Sequence, residues 1–255
     1  MKAVADYPCL ITSDEELITV IGRGNSGTRM LAHAFLASGV FLGTTLNNSG
    51  DSLPPEPMYE ACKTIARHVH WAGGLSWEFD ELHTMSIDPA FEEFVLTYLA
   101  DVLSSRRPQR GWKLPETTLA FPWIVRMFPS AKYVHIVRDP RDALLSGHIT
   151  DDLSVAGIRY PRTSDKLAQR VASWKYQHEI VKATPRPAHF LSVRYEDLVL
   201  EHDATMRKLE EFLAIPLARV IVDKSRVGRW RSDPRLLPYI GPLEGDMCEC
   251  GYGSS

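Results

Sequence analysis

Nowhere in the chain do apolar residues run for the roughly 18 positions that a membrane-spanning helix needs. The opening stretch, MKAVADYPCLITSDEEL, lacks the apolar centre of a secretory leader. Cysteine is scarce. Cys9, Cys62, Cys248 and Cys250 are too few and too scattered for a disulfide framework. The Cys248-x-Cys250 pair has no companion Cys/His pair to complete a zinc set. Nor does one sign of charge dominate. A formal net charge of -3 over 255 residues excludes the globally basic field that draws nucleic acid or anionic membrane. These absences describe a chain expected in the cytoplasm. It is long enough to bury a core without cross-links, and any anion it binds must be held by local basic residues.

One further absence is local. Ile18 to Met30 reads ITVIGRGNSGTRM. A nucleotide-hydrolysing loop reads G-x-x-x-x-G-K-[ST], with the Lys on the phosphates and the hydroxyl on magnesium. Gly22 and Gly27 have that spacing, yet Thr28 and Arg29 stand where Lys and Ser/Thr belong. What remains is still suited to phosphate. The apolar run Leu17 to Ile21 is consistent with a buried strand. From Gly27 the apolar residues Met30, Leu31, Ala34 and Phe35 recur at helix spacing, and Gly39 supplies a stop. Backbone N–H groups at such a helix start carry positive potential. Gly24 and Gly27 let a ligand approach, Ser26 and Thr28 add hydroxyls, and Arg23 and Arg29 add charge.

Further on, residues 43 to 58 are rich in turn formers and read as a loop. Residues 91 to 105 read as one amphipathic helix. The stretch RGWKLPETT leads into an apolar segment, 119 to 128. A second strand, Ala131 to Val137, runs into Arg138-Asp139-Pro140-Arg141-Asp142, a good helix start with Asp139 as N-cap and Pro140 at the first position. On one continuous helix Asp139, Asp142 and Ser146 would share a face. Residues 163 to 183 read as a long helix, Ala188 to Val193 as a third strand, and the stretch bearing Met206, Leu209 and Leu213 as a helix stopped at Ala214-Ile215-Pro216. Strands alternating with helices imply a mainly parallel sheet covered on both faces.

An Arg at the C-terminal end of a strand lies where open α/β sheets bind ligands. Arg138 therefore suits a second phosphate, with Ser146 beside it. The segment DKSRVGRWR gathers Lys224, Arg226, Arg229 and Arg231 around a Gly and a Trp. Taken alone, such a cluster is an ordinary solvated face.

Together these stretches resemble the sulfotransferases that use 3′-phosphoadenosine 5′-phosphosulfate (PAPS), over about residues 17 to 232. GNSGTR looks like that family's 5′-phosphosulfate loop. VRDPRDALLS looks like its 3′-phosphate motif, with the family's separation between Arg138 and Ser146. RYEDL followed by LEEFLAIP matches another recurring stretch, in which Tyr195 would lie near the adenine. SRVGRW resembles the loop that closes over the 3′-phosphate. The resemblance implies a single domain over 1–255 with residues 233–255 as a C-terminal tail. It implies an α/β three-layer sandwich of the P-loop nucleotide-binding type. It implies PAPS as co-substrate, no metal, and direct transfer to a hydroxyl or amine of a small-molecule, saccharide or peptide acceptor. Arg23, Gly24, Asn25, Ser26, Gly27, Thr28 and Arg29 would hold the 5′ side. Arg138, Ser146, Lys224, Ser225 and Arg226 would hold the 3′-phosphate.

The chain departs from the family at Asn25, where Lys or Arg is common. Arg23, Arg29 and Lys113 are the candidates to replace that charge. Lys113, in GWKLPETT, stands where the family has a Lys-bearing loop and would support the leaving group. For the base that deprotonates the acceptor, Glu116 and Asp51 are the leading candidates, with Glu56 and Glu60 nearby. His148 reads as structural, on the helix that carries Ser146. His68, His70, Trp71, Trp77 and His83 are candidate acceptor-pocket residues that suit the core equally well, and Trp174 reads as core. Two other readings stay open: a kinase in which Asp139 binds magnesium, and a nucleotide-binding protein that has lost catalysis at Asn25.

Overall fold

A computed structural model describes residues 17–253. Cys9 and the N-terminal stretch read above for a leader lie outside the described residues. The strand β1 (Leu17–Ile21) leads through the glycine loop into α1 (Thr28–Ala37). Then come α2 (Glu56–Ala66), a hairpin of β2 (His70–Gly73) and β3 (Ser76–Glu78), α3 (Glu81–Thr84), α4 (Pro89–Tyr98) and α5 (Ala100–Ser104). The helix expected over 91–105 is thus two, broken at Leu99. The chain continues through β4 (Arg110–Lys113), α6 (Phe121–Met127), β5 (Lys132–Val137), α7 (Pro140–Ala143) and α8 (Lys166–Ala183). It ends with β6 (Phe190–Arg194), α9 (Tyr195–Leu200), α10 (His202–Leu213), α11 (Leu237–Ile240) and α12 (Glu244–Glu249).

The central sheet has the order β4-β1-β5-β6 and all its strands are parallel. Alternation along β1 builds two cores. Leu17 and Ile21 face a layer made by α2, α4, α6 and α8, with Trp112, Trp123 and Tyr133 at its centre. Ile18 and Val20 face α1, α9 and α10, with Phe35, Val134, Ile136 and Met206. The result is the expected three-layer sandwich. Burial on both faces explains why these strands read as continuous apolar runs. β4 escaped the sequence reading because it is only four residues long and begins and ends on a charge. Its Arg110 and Lys113 are nonetheless buried.

Residues 233–253, read as a tail, fold back as short helices. Leu236, Leu243, Met247 and Tyr252 pack with Trp174 of α8, which is core as expected. The strand read at 188–193 begins two residues later and ends one residue later, at Phe190–Arg194.

Candidate functional site

β1 and β5 end side by side, and the candidate residues gather at their C-terminal ends. Gly22 has no room for a side chain, since a Cβ there would strike the Ile136 carbonyl oxygen. Its N–H donates to Thr118 Oγ1 at 2.8 Å. Gly24 lies against the His148 ring and Gly27 against the Tyr195 ring, again with no space for a Cβ. Gly27 also has φ +102°, which favours glycine. Ser26 and Thr28 are buried, and the Met30 and Leu31 N–H groups donate to the Gly27 carbonyl as α1 begins.

Two side chains singled out in this loop serve its shape. The Arg23 guanidinium is buried and paired with Asp151, and its Nη1 also donates to the Gly24 and Ala143 carbonyls. Asn25 adopts φ +68° and donates from Nδ2 to the Gly147 carbonyl at 2.9 Å. The Arg29 side chain, by contrast, is exposed and makes no hydrogen bond or ion pair among the described residues.

Arg138 joins three of the motif stretches. Its Nη1 donates to the Asn25 carbonyl at 2.9 Å, and its Nη2 to the Arg226 carbonyl at 2.6 Å. Its guanidinium lies 4.2 Å above the Tyr195 ring centroid. Burial lowers the Arg138 pKa, and nearby Arg229 adds to that effect. The Nε atoms of both arginines are buried without a hydrogen-bond partner among the described residues. Asp139 caps α7 as expected, accepting from the Arg141 N–H. Asp142 does more than favour a helix start. It accepts the Gly228 N–H at 2.6 Å and the Trp230 N–H at 3.0 Å, tying the basic segment down. That role was hidden in the sequence because its partners lie more than eighty residues away.

Ser146 departs from the expected arrangement. α7 ends at Ala143, so Ser146 sits half-buried in the following turn and shares no helix face with Asp139 and Asp142. His148 is not on that helix either. It caps the 3-10 turn Ile149–Asp151, and burial drops its pKa to about 4. Lys224, Ser225 and Arg226 form an exposed turn organised by Asp223, which accepts from the Ser225 hydroxyl and from Arg226 Nε.

The catalytic candidates come together on the other side of the loop. Lys113 closes β4, where a loop was expected, and forms a buried ion pair with Asp51. Burial lowers the Lys113 pKa against the pull of Asp51, and nearby Arg29 adds to the lowering. Glu116 is buried in the 3-10 turn that follows β4, with one carboxylate oxygen unpartnered among the described residues. Burial raises its pKa to about 7 despite Lys113, and the Asp51 charge adds to the rise. Burial, with the nearby charges of Glu116, Asp51 and Glu56 adding to it, pushes the phenol of half-buried Tyr59 to about 12. Tyr59 went unnoticed in the sequence because nothing local marks it. Of the aromatic and His candidates, Trp77 packs edge-on to Tyr176 in the core, while Trp71 is exposed on the hairpin. Cys62, Cys248 and Cys250 are free thiols.

A profile of the sulfotransferase family matches residues 18–219. The chain belongs to this family. Among solved structures, the sulfotransferase domain from the curacin biosynthetic pathway superposes with a TM-score of 0.59. It covers 94% of this chain and 98% of that one at 14% identity, a likeness of fold alone. A Caenorhabditis elegans protein named as a protein-tyrosine sulfotransferase is 27% identical over 157 residues, 58% of this chain. The omega-hydroxy-beta-dihydromenaquinone-9 sulfotransferase Stf3 of Mycobacterium tuberculosis is 29% identical over 128 residues, 46% of this chain. The matches span 57% of the nematode protein's length and 32% of the mycobacterial one's. Among the described residues, no helix is long and apolar enough to cross a membrane.

Proposed function

We propose that this sulfotransferase moves a sulfuryl group from PAPS to a hydroxyl or amine of a small-molecule, saccharide or peptide acceptor. The observation that carries the reading is the Arg138 bridge. One guanidinium contacts the glycine loop, the Tyr195 ring and the basic segment, three stretches far apart in sequence. The residues fit a nucleotide with a phosphate at each end. At the 5′ side the loop backbone opens α1, with Ser26, Thr28 and Arg29 around it. At the 3′ side Arg138 and Arg229 lie close enough to repel and keep unpartnered Nε donors, which an anion would satisfy. Ser146, Lys224, Ser225 and Arg226 complete that side.

The donor supplies an activated sulfuryl group. Glu116 takes the acceptor proton as the acceptor atom forms its bond to sulfur. The bond from sulfur to the bridging oxygen breaks, and the electron pair stays on the 5′-phosphate. A carboxyl poised near pH 7 suits a general base. Lys113, held by Asp51, lies close enough to Glu116 to favour its ionised form. No metal is assigned a role. The free thiols support a reducing, cytoplasmic setting. The nematode and mycobacterial relatives are named for a protein tyrosine and for a hydroxylated isoprenoid quinone, so a hydroxyl is the first acceptor to try.

Calorimetric titration with 3′-phosphoadenosine 5′-phosphate (PAP) in EDTA tests the donor site, with ATP and magnesium as the control. Metal-independent binding that weakens at least tenfold in Arg138→Ala is expected. Magnesium-dependent ATP binding without PAP binding would overturn the reading in favour of a kinase. PAP binding with no transfer to phenolic, alcohol or amine acceptors would favour a protein that binds the nucleotide without turning it over.

A further inference from the structure

The family's loop cation is missing at position 25, and the structure decides among its replacements. Asn25 is turned away to the Gly147 carbonyl, so its side chain is already engaged. Arg23 is buried in its pair with Asp151, and its other nitrogens brace the loop backbone. Lys113 is paired with Asp51, so the two present little net charge to a ligand. Arg29 differs from all three. It lies in the first turn of α1, next to the phosphate-facing loop, exposed and without a carboxylate partner among the described residues. Its position is the one where magnesium-dependent nucleotide hydrolases place the hydroxyl that holds their metal.

We propose that Arg29 is the catalytic cation of this loop, contacting the 5′-phosphate of the donor and stabilising the charge it gains as the leaving group. A guanidinium tethered to the helix start replaces both the basic residue absent at position 25 and the metal of the hydrolases. It brings fixed charge and paired donors that match phosphate geometry. This rests on the PAPS-dependent reading above.

The test compares two probes in calorimetry: PAP, which carries the 5′-phosphate, and adenosine 3′-phosphate, which lacks it. Arg29→Gln is expected to weaken PAP by roughly tenfold to a hundredfold, the range for one charge-assisted contact, and to leave adenosine 3′-phosphate unchanged. Arg29→Lys should retain most of the PAP affinity. In the Arg29→Gln background, Asn25→Lys should recover part of it by returning the charge to the family's usual place. Equal weakening of both probes would show a merely structural role, and unchanged PAP affinity would show no contact; either overturns the proposal. If the unsubstituted protein binds PAP and Arg29→Gln still binds it as tightly, only this inference falls. If the unsubstituted protein does not bind PAP, the donor reading falls with it.

Discussion

Glu116 carries opposing demands in one carboxyl. The proposed role as base needs it ionised, while its burial favours the neutral acid and places the balance at about pH 7. Turnover is therefore expected to fall as pH drops below about 7, read as kcat/KM against pH with any accepted hydroxyl compound. Stability runs the other way. The folded pKa lies above the ordinary value of 4.5, so the folded state holds the proton more tightly. The stabilisation is fully present below about pH 4.5 and is lost as pH rises through about 7. Glu116→Gln removes the ionisation, so it should be inactive yet more stable than the unsubstituted protein at pH 8, by on the order of 1–3 kcal/mol. Melting curves at pH 5 and pH 8 check this. A variant no more stable at pH 8 than at pH 5, relative to the unsubstituted protein, would show that Glu116 is not held near neutrality.

At the scale of elements, a short helix and a loop are joined by one carboxylate. Asp142 of α7 receives two backbone N–H groups from residues 228 and 230. Asp142→Asn keeps the shape but leaves one accepting oxygen, so one of the two backbone N–H groups would face an NH2 donor instead of a carboxylate oxygen. PAP affinity is expected to fall about tenfold, because the basic segment would no longer be held beside Arg138. Calorimetry would show the loss, and a far-ultraviolet spectrum like that of the unsubstituted protein would show the sheet intact. This level of structure was only partly legible beforehand. The apolar runs of β1 and β5 and the capped start at Asp139 are local signals, and each appears where its residues indicate. β4 was not legible, since four residues with a charge at either end carry no periodicity. The length of α7 was also hidden. Asp139 and Pro140 announce a start, but nothing at Ala143 announces an end. The spacing of the loop glycines is a local pattern that the sequence displays, although the atoms that exclude a side chain at Gly22, Gly24 and Gly27 belong to distant Ile136, His148 and Tyr195. The commitments of Arg23 to Asp151, Asn25 to Gly147 and Lys113 to Asp51 could not be read, because each is a pairing of distant residues made by the fold.

Across the whole molecule, the C-terminal segment reaches back to the ligand end of the sheet. The Tyr252 hydroxyl lies 2.6 Å from Glu196 Oε2 and 3.2 Å from the Val137 carbonyl oxygen. The other Glu196 oxygen accepts the Asp139 N–H at 3.2 Å. The chain end is thus connected through one buried carboxylate to the residue that follows Arg138. Lys175 of α8 meets Asp246 of α12 at 2.6 Å and holds the same segment from its outer side. Tyr252→Phe removes the hydroxyl and leaves a buried Glu196 oxygen without its partner, at a cost of about 1–3 kcal/mol. A melting temperature lower by several degrees is expected. An unchanged melting temperature would mean that the C-terminal segment does not stabilise the fold through this contact.

Trp230 is flanked by guanidiniums, with Arg141 3.9 Å and Arg231 4.8 Å from its ring. Of the six tryptophans, Trp77, Trp112, Trp123 and Trp174 are buried and Trp71 lies on the β2–β3 hairpin, leaving Trp230 as the indole of the basic segment. The protein therefore carries its own optical gauge. Any ligand that draws those arginines toward an anion changes the field across this indole, and so its emission. Titrating PAP should shift the fluorescence of the unsubstituted protein, and Trp230→Phe should abolish the shift while PAP still binds.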